Sequence, residues 1–270
     1  MSMEILTLSS RGMPVPDPQH DKILGIFYTI SMDVCMHEEI NNVSGVLLNM
    51  DDVLLADMVG KNEFYTFVAS EIDLFDAFVN VIHRYDPDIV IGYNTQRYSW
   101  GYLTERSLVI GRNLLSEISR APIGAQINDY YRPGLQKKNW WVRELDPTPR
   151  GRILINVWRI LRHEVALRKE QCNNLLNTIT QFLIFTSNTV WKMFSALVLK
   201  HMKLYCQLNL LILLRLDFFT RTSEMARLYG IQFNEVLTRG SQFRVESMLL
   251  RLARRERYVA PSISPVQRQA

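Results

Sequence analysis

The chain has 270 residues, 47% of them apolar, and a formal net charge of +4. That composition excludes a disordered chain and allows one large domain, or a domain with a smaller second one. The slight positive balance is compatible with a polyanionic partner without requiring one.

Cys35, Cys172 and Cys206 are far apart and form no CxxC pair. This suits a reducing compartment and excludes a cysteine-based zinc finger. Residues 1–10 carry no basic stretch followed by an apolar core, so no secretory signal is expected. The most apolar run, 204–219, is interrupted by Gln207, Asn209 and Arg215. It reads as a buried helix rather than a membrane span.

In chain order, SMEILTL (2–8) is a short apolar strand, followed by the Gly/Pro-rich turn RGMPVPDPQHD (11–21). KILGIFYTISM (22–32) is a continuous apolar run and predicts a central strand, and SGVLLNM and EFYTFVAS add two further strands. At Ser70 the period changes. Ser70 and Asp73 form a capping box, and Phe75, Phe78, Val79 and Ile82 mark one face of a helix. Pro87 ends it. DIVIGY (88–93) is a buried strand, and 99–118 reads as a single helix.

Residues 119–150 read as a long surface loop, 151–167 as a strand running into a helix, and 172–216 as mostly helical. Residues 238–258 form a basic amphipathic helix with a Gly-containing start, and the tail beyond Pro261 is expected to be disordered. Strands first, then strands alternating with helices, predict an α/β fold with a mixed sheet flanked by helices. An RNase H-like exonuclease domain is one of several architectures that fit.

The segment GYNTQRYSWGYLTER (92–106) places a polar turn between a buried strand and a helix. An α/β protein puts chemistry at such a position. Together with SMEI, PDPQHD, GRILINVWRILRHEVAL, RTSEMARLYGIQF and LTRGSQFRVESMLLRLA, it resembles the exonuclease-like region of B-family DNA polymerases. The last three segments resemble the zeta, translesion branch. The likeness covers 2–34, 85–118, 151–167 and 220–258 in the family's order.

The resemblance implies a 3′–5′ exonuclease fold, in which paired metal ions activate a water and stabilise the leaving oxygen. It puts Glu4 and Leu6 on the family's Asp-x-Glu motif. Asn94, Tyr98 and Ser99 fall on Asn-x-x-x-Phe-Asp, and His201 and Tyr205 on Tyr-x-x-x-Asp. Of these carboxylate positions only Glu4 keeps an acid, and hard divalent cations need charged oxygen ligands. The catalytic set is therefore expected to be vestigial: Glu4, Asn94, Ser99 and Tyr205, with no metal. Glu4 reads equally as a leftover acid or as a solvated residue at a frayed terminus. Asn94 and Ser99 also suit turn and helix-cap duties, with Ser99 as the N-cap.

The palm motifs that join nucleotides and the cysteine clusters of the family are missing from the sequence, and the N-terminal domain is expected to be absent as well. No cofactor is therefore expected in this chain; Mg²⁺ and an iron–sulfur cluster would belong to those other parts. The expected organisation is an exonuclease-like domain over 1–219, a connecting helical segment over 220–258 leading toward a palm, and the tail over 259–270. Residues 170–203 depart from the family pattern and carry a risk of poor packing or an exposed apolar patch.

Arg239, Gln242, Arg244 and Arg251 are the candidate DNA contacts, in a segment made more basic by Arg254, Arg255 and Arg257. Gly240 is expected to allow close backbone approach. The alternative is a solvated basic face with Val245, Met248, Leu249 and Leu252 turned to the core. KKNWW (137–141) could stack on a single strand, or pack its tryptophans inward. The resemblance implies a nuclear setting in lesion bypass and DNA repair, with primer–template DNA and accessory subunits of a zeta-type complex as partners and no membrane. A residual exonuclease and a stand-alone nucleic-acid-binding protein remain as rival readings.

Overall fold

The computed structural model describes residues 1–7, 16–32, 41–49, 65–96, 98–121, 148–164 and 188–259. The readings given above for residues 8–15, for KKNWW, for 170–187 and for the tail from 260 lie outside the described residues. So do Cys35 and Cys172.

One mixed sheet carries the first unit, with its strands in the order β4-β3-β2-β1-β5-β6. Strands β1 (Ser2–Thr7), β2 (Ile23–Met32) and β3 (Asn41–Asn49) pair antiparallel in succession. β4 (Tyr65–Val68) joins β3 in parallel. On the other side of β1, β5 (Ile89–Gly92) and β6 (Ile153–Asn156) extend the sheet in parallel. This is the mixed sheet flanked by helices that the sequence predicts.

With partners on both sides, every residue of β1 is buried. Its side chains alternate between faces. Met3 and Ile5 enter one core, and Leu6 enters the other. Glu4 shares the face of Leu6, so its carboxyl lies on the inside of the protein, 4% exposed. The solvated alternative for Glu4 is thereby corrected: a central strand cannot fray while β2 and β5 hold it.

The first face packs against α1 (Glu71–Tyr85), α2 (Trp100–Val109) and α3 (Leu114–Ile118). Leu74, Phe75, Phe78 and Ile82 supply the buried stripe of α1. Burying each such side chain contributes about 1.5–3 kcal/mol. Ser70 caps α1 as expected: its Oγ accepts from the Asp73 amide at 3.2 Å and donates to the Asp73 carboxylate at 2.7 Å. Asp86, ahead of Pro87, closes the helix in a left-handed conformation at φ 39°.

The single helix expected over 99–118 is two. Gly111 takes φ 86° and ends α2, and the Asn113 side chain accepts from the Ser116 amide to start α3. A left-handed glycine costs little, whereas any other residue there would be strained.

The second face is covered by α5 (Asn188–Arg215), which follows α4 (Val157–Glu164) in the described chain. Val198, Leu199, Met202 and Cys206 pack on Leu6, Phe27, Val46 and Leu48. The described end of the segment expected to pack poorly is thus well seated, because its apolar residues recur at helical spacing. Its outward face leaves Leu204, Leu208 and Leu211 exposed.

Charged side chains tie down the ends of these elements. Arg120 pairs with Asp86 at 2.9 Å and Asp88 at 2.6 Å, and buried Arg152 pairs with Asp86 at 2.8 Å. The Arg120 amide donates to the Arg150 carbonyl, and the Arg150 amide donates to the Ser119 hydroxyl, each at 2.9 Å. Positions 119–120 and 150 are therefore side by side.

The chain divides into two compact units, 1–212 and 213–270, at a point within α5. The second unit contains α6 (Phe218–Tyr229), α7 (Phe233–Thr238) and α8 (Ser241–Arg255). Gly230, at φ 68°, ends α6, and Phe218 meets Phe233 edge-on. No described helix is long and apolar enough to cross a membrane.

Candidate functional site

Glu4 stands where β5 ends. The parallel register sets Ser2 beside Ile91, which brings position 4 level with Tyr93, the first residue after β5. The Tyr93 amide donates to Glu4 Oε1 at 2.7 Å, and Asn209 Nδ2 on α5 donates to the same oxygen at 2.9 Å. Burial pushes the Glu4 carboxyl up to about 7, and these two hydrogen bonds only partly offset that shift.

The turn after β5 is organised by one carbonyl. Asn94 O accepts from the amides of Tyr98 and Ser99 and from the Ser99 hydroxyl, each at 3.3 Å. Ser99 occupies the N-cap position of α2 but makes no side-chain capping bond. This corrects the expected cap: its hydroxyl is turned back to Asn94 and is fully buried. It packs so closely on Gly92 that a Cβ there would collide with Ser99 Oγ. The Thr95 hydroxyl accepts from Asn156 Nδ2, linking this turn to the end of β6.

Gly101 is a residue the sequence reading passed over. Its amide donates to Thr95 O at 2.7 Å, and a Cβ at this position would run into the Gln96 carbonyl. The turn folds over α2 only because no side chain intervenes.

Helix α5 completes the surroundings of Glu4. The Tyr205 ring lies 5.6 Å from that of Tyr93, and burial, followed by the Glu4 carboxyl, raises its phenol above the ordinary range. Cys206, a free buried thiol, donates to Phe27 O at 3.4 Å; burial and then Glu4 push its pKa well up. His201, the other residue placed on the third motif, is exposed. The structure therefore brings Glu4 and Tyr205 together, with Asn94 and Ser99 on the adjoining turn. Asn209 was visible in the sequence only as one of the polar residues, with Gln207 and Arg215, that interrupt an apolar run.

This donor set does not fit a pair of divalent cations. It holds one acid already engaged by two N–H groups, a phenol and a thiol that both resist ionisation, and a hydroxyl bonded to a carbonyl. Hard cations require several charged or carbonyl oxygens turned to one point. No cluster of three or more His, Cys, Asp or Glu that could hold a metal occurs among the described residues.

The candidate DNA contacts fall in the second unit. Arg239 lies over the Phe243 ring at 5.3 Å, and Gln242 donates to Glu246 at 2.9 Å. Arg244 donates to Val236 O, Ser247 to Tyr229 O and Arg251 to Leu228 O. These residues of α8 thus bind the carbonyl ends of α7 and α6, where cations and donors are favoured. Arg254, Arg255 and Arg257 are exposed.

One expectation for this helix is corrected. Val245, Met248, Leu249 and Leu252 are not turned to a core but are 43–58% exposed, because α8 is attached through its polar residues instead. Gly240 has φ −71°, and a Cβ on it would meet nothing within 4 Å. Gly240 stands at the N-cap of α8, a position that glycine suits better than alanine does.

The comparisons with known proteins converge on one group. The family model for the exonuclease domain of DNA polymerase family B matches residues 1–140. The human DNA polymerase zeta catalytic subunit is 35% identical over 296 aligned positions, spanning 99% of this chain and 9% of that protein. The Saccharomyces cerevisiae zeta catalytic subunit is 30% identical over 97% of this chain, or 18% of its own length. The DNA polymerase delta catalytic subunit of Schizosaccharomyces pombe is 22% identical over 97% of this chain. The chain thus spans under a fifth of the zeta relatives described here, and residues 170–203 fall within the span of the human alignment.

Proposed function

The chain belongs to the exonuclease-domain family of B-family DNA polymerases, and from that premise we propose that it is a catalytically silent module of a zeta-type translesion polymerase. Its role is to support the polymerase and line the DNA path, without cutting DNA. The observation that carries this reading is the state of Glu4: buried in a central strand, with Oε1 engaged by Tyr93 and Asn209. Leu6, Ser99 and Tyr205 add no carboxylate, so the vestigial set lacks the charge that would hold paired cations.

On this reading the setting is nuclear, in replication past lesions and repair. The partners are primer–template DNA and the accessory subunits of a zeta-type polymerase. DNA contact falls to the exposed Arg239, Arg254, Arg255 and Arg257, while Arg244 and Arg251 hold the second unit together. Gln242, paired with Glu246, is the weakest of the candidate contacts.

The test is a cleavage assay on 3′-labelled single-stranded DNA with Mg²⁺ or Mn²⁺. No metal-dependent cleavage is expected. Cleavage that disappears in Glu4→Ala would establish a residual exonuclease instead.

A further inference from the structure

We propose that Glu4 and Asn209 form an interior clasp that locks α5 onto the sheet, so that a position the resemblance assigns to metal binding serves here to hold a helix. The clasp rests on the same reading of Glu4 as a non-catalytic acid.

Geometry carries it. The face of the sheet under α5 carries the apolar Leu6, Phe27, Val46 and Leu48, with a second polar link beside them, the Ser44 hydroxyl, which receives Gln207 Nε2 of α5 at 3.2 Å. Glu4 is the acid on that face, and a buried carboxyl without partners would be costly. A single oxygen of Glu4 receives one bond from β5 and one from α5. It therefore joins β1, β5 and α5 at one point.

Asn209 is harder to explain any other way. It is 1% exposed, and its Oδ1 is buried without a hydrogen-bond partner among the described residues. An orphaned carbonyl of this kind costs on the order of 1–3 kcal/mol. Leucine at 209 would avoid that cost, and the helix already carries Leu208, Leu210 and Leu211 around it. What leucine could not supply is the N–H that reaches Glu4. The amide is kept for its partner rather than for its own burial.

Cys206, one turn before Asn209, reinforces the same contact. Its thiol reaches Phe27 O on β2, the strand paired with β1 at Glu4. The clasp and the thiol thus fasten neighbouring turns of α5 to adjacent strands.

The test is a double-mutant cycle in the full chain with Glu4→Leu, Asn209→Leu and the pair together. Stability is read by denaturant unfolding, and the opening of α5 by amide hydrogen exchange. Each single variant strands a buried polar group of the pair, whereas the double variant removes both; the Tyr93 amide loses its acceptor equally in Glu4→Leu and in the double, so that loss cancels in the cycle. The expected result is at least a tenfold recovery of the unfolding equilibrium in the double variant over the sum of the singles. Amides of 198–210 should exchange faster in the singles while those of α1 keep their protection.

Additive effects, or unchanged protection of α5, would overturn the clasp. If neither single variant folds, the double decides: a folded double supports the proposal, and an unfolded one ends it. Failure here is separable from failure of the silent-site reading. Cleavage by the unmodified chain would remove that reading and leave the coupling energy untouched, and additive variants would do the reverse.

Discussion

Arg106 grips Glu71 with two nitrogens, its Nε 2.9 Å from Oε1 and its Nη2 2.8 Å from Oε2. The pair is almost fully enclosed, with side-chain exposures of 8% and 10%. The same guanidinium donates to the carbonyls of Pro18 and Gln19, and the same carboxylate accepts from the Ile23 amide. One ion pair thereby fixes the turn before β2 to both α1 and α2.

Removing one partner of such a pair leaves the other charged and buried. Arg106→Ala should destabilise the chain by about 3–5 kcal/mol, read as a lower denaturant midpoint at unchanged slope. Arg106→Lys, which cannot match both carboxylate oxygens in a planar fork, should recover only part of the loss.

Gly101→Ala should distort the turn after β5, because the added Cβ meets a carbonyl rather than the free end of a side chain. Overpacking of this kind costs about 1–3 kcal/mol. The measurable sign is a lower thermal midpoint. Gly240→Ala, placed in open space at an ordinary φ but at the N-cap of α8, where alanine caps less well than glycine, should lower the midpoint by less than Gly101→Ala does.

The Glu4 carboxyl titrates near 7 in the folded chain against an ordinary value of 4.5. The folded state then holds a proton that the unfolded state has released, so stability falls as pH rises. The contribution is fully present below 4.5, is lost between 4.5 and about 7, and is flat above that. Its size is on the order of 3 kcal/mol. Unfolding of wild type and Glu4→Gln at pH 5 and pH 8 checks it: the fall with pH should be smaller in Glu4→Gln by that amount.

The arginines of the second unit should separate by effect. Arg251→Ala removes a donor from the end of α6 and should lower the stability of that unit by about 1–2 kcal/mol. Arg254→Ala and Arg257→Ala should change stability by less than about 0.5 kcal/mol. Each should instead reduce the salt dependence of single-strand binding by about 0.7 in log–log slope. Fluorescence anisotropy across a salt series gives the second measurement, and urea unfolding the first.

The sheet was legible in sequence because its strands are apolar runs with clear breaks. SMEILT and ILGIFYTISM are too apolar for the surface, and Ser70 with Asp73 marks the start of α1. The grouping of Glu4 with Tyr205 came from family resemblance, since nothing in local spacing joins residues about two hundred positions apart. What sequence could not give was direction. Ser99 reads as a cap by residue type, yet its hydroxyl turns to Asn94, because Gly92 leaves a hollow into which the side chain at 99 packs beside the Trp100 ring. Arg244 and Arg251 read as phosphate ligands by charge, and charge alone did not show that they also bond to carbonyls at the ends of α7 and α6. Gly111 and Gly101 look alike in sequence. Only backbone geometry shows that one breaks a helix and the other admits a crossing carbonyl.

The bonds among Ser119, Arg120 and Arg150 have a bearing on how such a chain can vary. They hold positions 119–120 and 150 side by side, so the two ends of the intervening segment enter and leave at one fixed doorway. Doubling the length of that thread adds only about 0.6 kcal/mol of closure entropy. In terms of closure entropy alone, with those ends already pinned, a change of length between them is a small term beside the ion pairs and hydrogen bonds that fix the doorway.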